Sequence, residues 1–154
     1  MSTMRFNHLE MTFPRGTFTP EFRADVEAFY GSVFGWELRD VDLLGQTCLL
    51  LRPDDGQFLL LAEYDRPISS PGYDHVGLLQ ESRADVDALR DACRAWADKD
   101  DRMKLKVYED LVTGTITTHA FYVKFLLPLY FDVQYLSYEG EPPARQWEYV
   151  PRAG

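Results

Sequence analysis

Residues 5–13 alternate between two faces. Leu9, Met11 and Phe13 fall on one side and His8, Glu10 and Thr12 on the other, which predicts a half-buried strand. A loop follows, and then Thr19 precedes Pro20. A capping hydroxyl before a proline at the first helical position marks a helix start. Phe22, Val26, Phe29, Tyr30 and Val33 recur at helical spacing until Gly35 ends the helix. Residues 36–41 predict a short strand. Segments 47–51 and 58–64 predict a hairpin around Pro53, Asp54, Asp55 and Gly56. The same order then returns. Residues 73–80 predict a strand, and Ser82 with Asp85 three residues on approximates a capping box. Val86, Leu89, Cys93 and Trp96 line one helix face. Residues 103–108 predict a strand followed by a Thr/Gly-rich turn. Segments 117–127 and 129–138 predict a long apolar hairpin, with Pro128 near its turn or on an edge.

The parallel is also literal. Residues 23–29 read RADVEAF and residues 83–89 read RADVDAL, with five of seven positions identical. Each copy follows a strand that carries a histidine, His8 or His75. The spacing from histidine to arginine is 15 residues in the first copy and 8 in the second, so the first has a strand-to-helix loop seven residues longer. Loops absorb such insertions at little cost. The expected organisation is a single domain over 1–154: one module over about 5–65, a proline- and serine-containing linker over 66–72, a second module over about 73–139, and an irregular tail over 140–154. Trp147 and Tyr149 in that tail are candidates for docking on the domain or on a second subunit.

Composition narrows the partners. Net charge is −9 and the apparent pI about 4.7, with no Lys/Arg run, which argues against nucleic acid and anionic membranes. Neither a signal-peptide core nor an apolar stretch of membrane-spanning length occurs, so a cytoplasmic location is expected. Cys48 and Cys93 lie 45 residues apart among apolar neighbours and are expected as reduced core thiols. No Ser-His-Asp order, phosphate-binding glycine loop or Cys-x-x-Cys spacing is present. His119 falls in the penultimate strand and is expected to be hydrogen-bonded or partly exposed there.

Residues 28–36, AFYGSVFGW, resemble the "FY…vLGw/f" pattern of the vicinal oxygen chelate superfamily. Residues 121–124, FYVK, and 131–135, FDVQY, resemble its "FYvr…fdiEy" ending. The superfamily includes glyoxalase I, extradiol dioxygenases, and fosfomycin and bleomycin resistance proteins. The resemblance spans about residues 5–139. It implies an α+β fold: two tandem β-α-β-β-β modules curled into a partly open, mixed-sheet barrel around a central cleft, with helices outside. It also implies one divalent metal ion (Zn, Ni, Fe, Mn or Co) whose ligands come from the first and last strands of each module. His8, His75 and Gln134 match three of those positions, Gln134 standing where glutamate is usual. For the fourth, aligning Ala62-Glu63-Tyr64 with Val133-Gln134-Tyr135 points to Glu63. Counting from Gly56 points instead to Leu60 or Leu61, which cannot ligate. The second module lacks the family's "DPdG" turn and has FLLPL at 125–129.

Two functions follow as expectations. One is a metal-dependent lyase, isomerase or oxygenase acting on a small oxygenated substrate. In it Glu10, Asp132 or Glu63 would move a proton beside a carbonyl. The other is a metal-free protein that sequesters a small molecule in the cleft. The resemblance further implies a homodimer, with the barrel closed either within one chain or between two.

Overall fold

A computed structural model describes residues 4–143. The chain runs β1 (His8–Pro14), α1 (Pro20–Val26), a π-helical turn (Glu27–Gly31), β2 (Glu37–Leu43), β3 (Gln46–Asp54), β4 (Gln57–Tyr64), β5 (His75–Leu79), α2 (Arg83–Ala97), β6 (Lys104–Val107), β7 (Leu111–Thr113), β8 (Ile116–Lys124) and β9 (Tyr130–Tyr138). The expected tail contacts of Trp147 and Tyr149 lie outside the described residues.

The strands form two mixed sheets, in the orders β1-β4-β3-β2 and β5-β9-β8-β6, with β7 also on β8. In each sheet the first strand pairs parallel to the last, β1 with β4 and β5 with β9, while the other pairings are antiparallel. The α+β duplication is therefore present in the backbone. Among the described residues no strand of one sheet pairs with a strand of the other, so the sheets do not close into a hydrogen-bonded barrel.

The expected helix caps form. Thr19 Oγ1 accepts from Phe22 N, and Ser82 Oγ accepts from Asp85 N. The first helix does not continue as an α-helix to Gly35. It widens at Glu27 into the π turn, where Ser32 Oγ donates to the Ala28 carbonyl. The wider turn lets two consecutive residues, Phe29 and Tyr30, both be buried.

Those two residues join the modules. Phe29 packs edge-on against Trp96 and Phe125, Tyr30 and Trp36 meet Phe131, and Tyr30 Oη donates to the Phe125 carbonyl at 2.7 Å. Arg102 adds an ion pair to Asp25 at 2.9 Å. The 125–129 segment is a bend between β8 and β9, so the FLLPL stretch supplies core anchors (Phe125, Leu127, Leu129) where the first module has a polar turn. One continuous core thus joins the helix-side faces of both sheets. Their opposite faces, carrying His8 and His75, are left toward solvent.

Candidate active site

The two histidines occupy equivalent positions. His8 opens β1 opposite Phe58, and His75 opens β5 opposite Tyr130. Both are exposed. Their hydrogen bonds fix their tautomers. His75 Nδ1 lies 2.8 Å from the Tyr73 carbonyl, which can only accept, so Nδ1 carries the proton and Nε2 presents a lone pair in the neutral ring. Asn7 Nδ2 donates to the Gly56 carbonyl, which orients the amide oxygen toward His8 Nδ1 at 2.9 Å. His8 Nε2 is bare by the same logic, and its ring stacks on Phe58 at 4.8 Å. Metal-binding histidines are commonly held through the other nitrogen in this way.

The register also shows which residues of β4 and β9 are equivalent. With His8 matched to His75, Leu60 corresponds to Asp132 and Ala62 to Gln134. Glu63 corresponds to Tyr135. The alignment of Glu63 with Gln134 is therefore off by one residue, and a one-residue slip moves a side chain to the other face. Glu63 pairs with Phe13 on the helix side and accepts from Phe18 N at 2.6 Å. It shares no face with His8, and the first module brings no carboxylate from β4 to that face. Glu10 does lie on the His8 face, exposed and opposite Leu60.

The second module is richer. Gly77 pairs with Asp132 and Leu79 with Gln134, so His75, Asp132 and Gln134 share one face. Asp132 Oδ2 lies 3.8 Å from His75 Nε2, and Asp132 Oδ1 is buried without a hydrogen-bond partner. Burial holds the Asp132 carboxyl above the usual carboxylate range, with the neighbouring His75 opposing. A Cβ on residue 77 would come within 3.1 Å of Gln134 Nε2, so glycine there is what lets the Gln134 amide lie across the strand beside Asp132.

Tyrosines wall this face. His75 and Tyr122 have ring centroids 4.8 Å apart, and Tyr122 in turn meets Tyr108 at 5.0 Å, Tyr130 at 6.2 Å and Tyr73 at 6.4 Å. Burial raises the Tyr122 hydroxyl, with Asp132 adding to the effect. Sequence reasoning missed this wall because its members come from four separate segments. The alternation of 122, 130, 132 and 134 on facing strands was the available signal.

His119 lies elsewhere. Its ring is buried on the helix side of the second sheet, with Nε2 2.8 Å from Asp87 Oδ1 and Nδ1 2.9 Å from Asp110 Oδ1. Arg83 of the repeated motif also bonds Asp110, just as Arg23 clamps Asp40 with two bonds of 2.9 and 3.0 Å. By register the first-module counterpart of His119 is Thr47, a smaller residue. Under the longer β1–α1 loop the smaller side chains leave a cavity of about 530 Å³, lined by Arg15, Arg23, Asp40, Thr47 and Glu63 among others. Its arginines are paired with Asp65 and Asp40. The cavity therefore lies behind the first sheet, away from His8. Cys93 is buried with its thiol pushed up to about 12, and burial raises Cys48 too, so neither is a nucleophile.

Similarity to solved structures follows the same architecture. The lactoylglutathione lyase of Agrobacterium tumefaciens matches with 17% identity and a TM-score of 0.55 over 87% of this chain and 95% of that one. The fosfomycin resistance protein FosX of Listeria monocytogenes matches with 16% identity and a TM-score of 0.58 over 88% and 91%. A glyoxalase/bleomycin resistance protein/dioxygenase from Nocardioides matches with 15% identity and a TM-score of 0.58 over 93% and 90%. The fold is that of the vicinal oxygen chelate superfamily. No protein-family model and no curated protein matches the chain in sequence. No helix among the described residues is long and apolar enough to cross a membrane.

Among the described residues no group of three or more His, Cys, Asp or Glu side chains forms a ready cluster. His75 Nε2 and the Asp132 carboxylate nevertheless face each other as two acceptors, one of them with an orphaned buried oxygen. An imidazole nitrogen and a carboxylate suit a borderline divalent ion, and Gln134 lies on the same face.

Proposed function

We propose that this chain is a metal-assisted lyase, isomerase or oxygenase acting on a small oxygenated molecule, with its site on the His75 face of the second sheet. The observation that carries this reading is the pairing of two acceptors, His75 Nε2 and Asp132, across 3.8 Å in a partly buried setting. A divalent cation between them would compensate the buried carboxylate. His75, Asp132 and Gln134 would hold the ion, which would polarise a substrate carbonyl. The Asp132 carboxylate would then accept a proton from a carbon beside that carbonyl.

His8 enters through a second copy. Because the shared core ties the two helix-side faces together, the His8 and His75 faces of one chain both open outward. A homodimer that lays the His8 face of one chain over the His75 face of the other would complete the cleft and add His8 Nε2 to the donors. The protein should take up about one Zn, Ni, Mn or Fe(II) per chain, measured by elemental analysis after loading and desalting. His75→Ala should lose it. Absence of uptake with every one of these ions overturns the metal-assisted reading.

The tyrosine wall favours a second reading, in which the same face binds and sequesters a small aromatic molecule without metal. Ligand binding that is unaffected by chelation, with no turnover, would select it.

A further inference from the structure

The chain has four lysines, and three of them, Lys104, Lys106 and Lys124, stand on neighbouring strands of the second sheet. Lys106 pairs across to Tyr122 and Lys104 to Lys124, so all three share the face of Tyr122, Asp132 and His75. This concentration is unexpected in a protein of net charge −9. The arginines of the described residues are mostly matched to carboxylates. Among the described residues none of these three lysines has a carboxylate within 4.0 Å. Lys104 and Lys124 are directly opposite like charges, an arrangement that costs stability unless something compensates it. Burial and Lys104 together hold the Lys124 ammonium below its ordinary range.

Lys124 Nζ donates to the Ser70 carbonyl at 3.2 Å, and the other close neighbours of the Lys106 and Lys124 ammonium groups are aromatic rings. Lys106 Nζ lies 4.0 Å from the Tyr73 ring centroid and 4.8 Å from that of Tyr108, and Lys124 Nζ lies 5.4 Å from that of Tyr130. Tyr73 and Tyr108 are 52% and 37% exposed, so their rings are available to a ligand. A ligand that satisfies both features carries a negative charge for the lysines and a flat ring for the tyrosines. We propose that this face holds an anionic aromatic substrate, of the arylcarboxylate class. Its carboxylate lies on Lys106 and Lys124, and its ring lies against Tyr73, Tyr108 and Tyr122. The ring edge then approaches His75, the neighbour of Tyr122. The inference deepens the reading of this face as the site by naming its substrate class, and it needs no metal.

The test is calorimetric titration of benzoate, benzamide and acetate into the full chain in EDTA. Benzoate is expected to bind at least tenfold tighter than isosteric, uncharged benzamide and tighter than acetate, and to weaken as salt rises. Lys106→Met should weaken benzoate tenfold or more and leave benzamide unchanged, while Lys106→Arg retains binding. Tyr73→Leu with Tyr108→Leu should weaken benzoate and leave acetate unchanged. Equal affinity for benzoate and benzamide, or a Lys106→Met protein that binds benzoate normally, overturns the inference. Since chelator is present, failed metal uptake leaves this result standing. Metal uptake without benzoate selectivity overturns the substrate class alone.

Discussion

His75 Nε2 faces Asp132 Oδ2 at 3.8 Å, with the second Asp132 oxygen buried and unpaired. A fold gains nothing in stability from an arrangement of this kind. A desolvated carboxylate with an orphaned oxygen costs about 1–3 kcal/mol. Asp132→Asn removes the charge at nearly constant volume. In EDTA the variant should melt a few degrees higher than the parent, by about 2–4 °C for each kcal/mol at this chain length. The same variant should lose metal uptake. A melting point that falls, with uptake intact, would show Asp132 to be a structural carboxylate.

Glu63 makes the opposite case. It accepts from Phe18 N and helps hold the long β1–α1 loop against the sheet, on the face away from His8. Glu63→Ala should cost about 1 kcal/mol through the unpaired loop amide, read by urea unfolding. Metal stoichiometry should not change. Loss of metal with unchanged stability would return Glu63 to the ligand set.

The contrast between Glu63 and Asp132 shows where the sequence runs out. The duplicated RADV motif, both helix caps, the turn at Gly56 and the placement of His8 on the strand face away from the helix are local signals, each written in a few neighbouring residues, and the backbone follows them. The equivalence of Glu63 with Gln134 depended instead on strand register, in which one residue changes the face. The helix face of residues 20–33 hid the π turn, because Phe29 and Tyr30 fit an apolar stripe whether the turn is wide or narrow. β7 was absorbed into a turn, being only three residues long. The tyrosine wall joins residues 73, 108, 122 and 130, which only the sheet brings together.

Acid sensitivity should centre on His119. Its hydrogen bond, ahead of the contribution of Arg90, holds Asp87 below the usual carboxylate range; His119 and then Arg83 do the same for Asp110. A carboxylate with a depressed folded value contributes stability that is present above its unfolded value, about 4, and lost as pH falls through the folded one. Below about pH 4 the parent should therefore lose stability more steeply than His119→Gln, although the variant is the less stable at pH 7. Parallel melting curves for the two proteins across pH 2–7 would contradict this.

The weld between modules should be energetically concentrated. Tyr30 Oη donates to the Phe125 carbonyl in the buried core; Leu127 N donates to the same oxygen, so Tyr30→Phe removes one of its two hydrogen bonds and should cost about 0.5–1.5 kcal/mol. Phe29→Ala removes a ring packed on Trp96 and Phe125 and should cost about 3–5 kcal/mol. Because both contacts cross the modules, unfolding of either variant in urea should remain a single transition for both sheets. A biphasic curve would mean that each module folds alone.

The placement of His8 gives the sharpest test of assembly. If the cleft forms between chains, each site of a homodimer takes His8 from one copy and His75 from the other. His8→Ala alone and His75→Ala alone then each damage both sites. Mixed, unfolded and refolded together at equal amounts, they form heterodimers in which one site carries both substitutions and the other carries neither. Random pairing restores about a quarter of all sites. Metal content and activity of the mixture should rise to that level from near zero in either variant alone. Closure within one chain predicts no recovery at any mixing ratio, because every chain then carries its own damaged site.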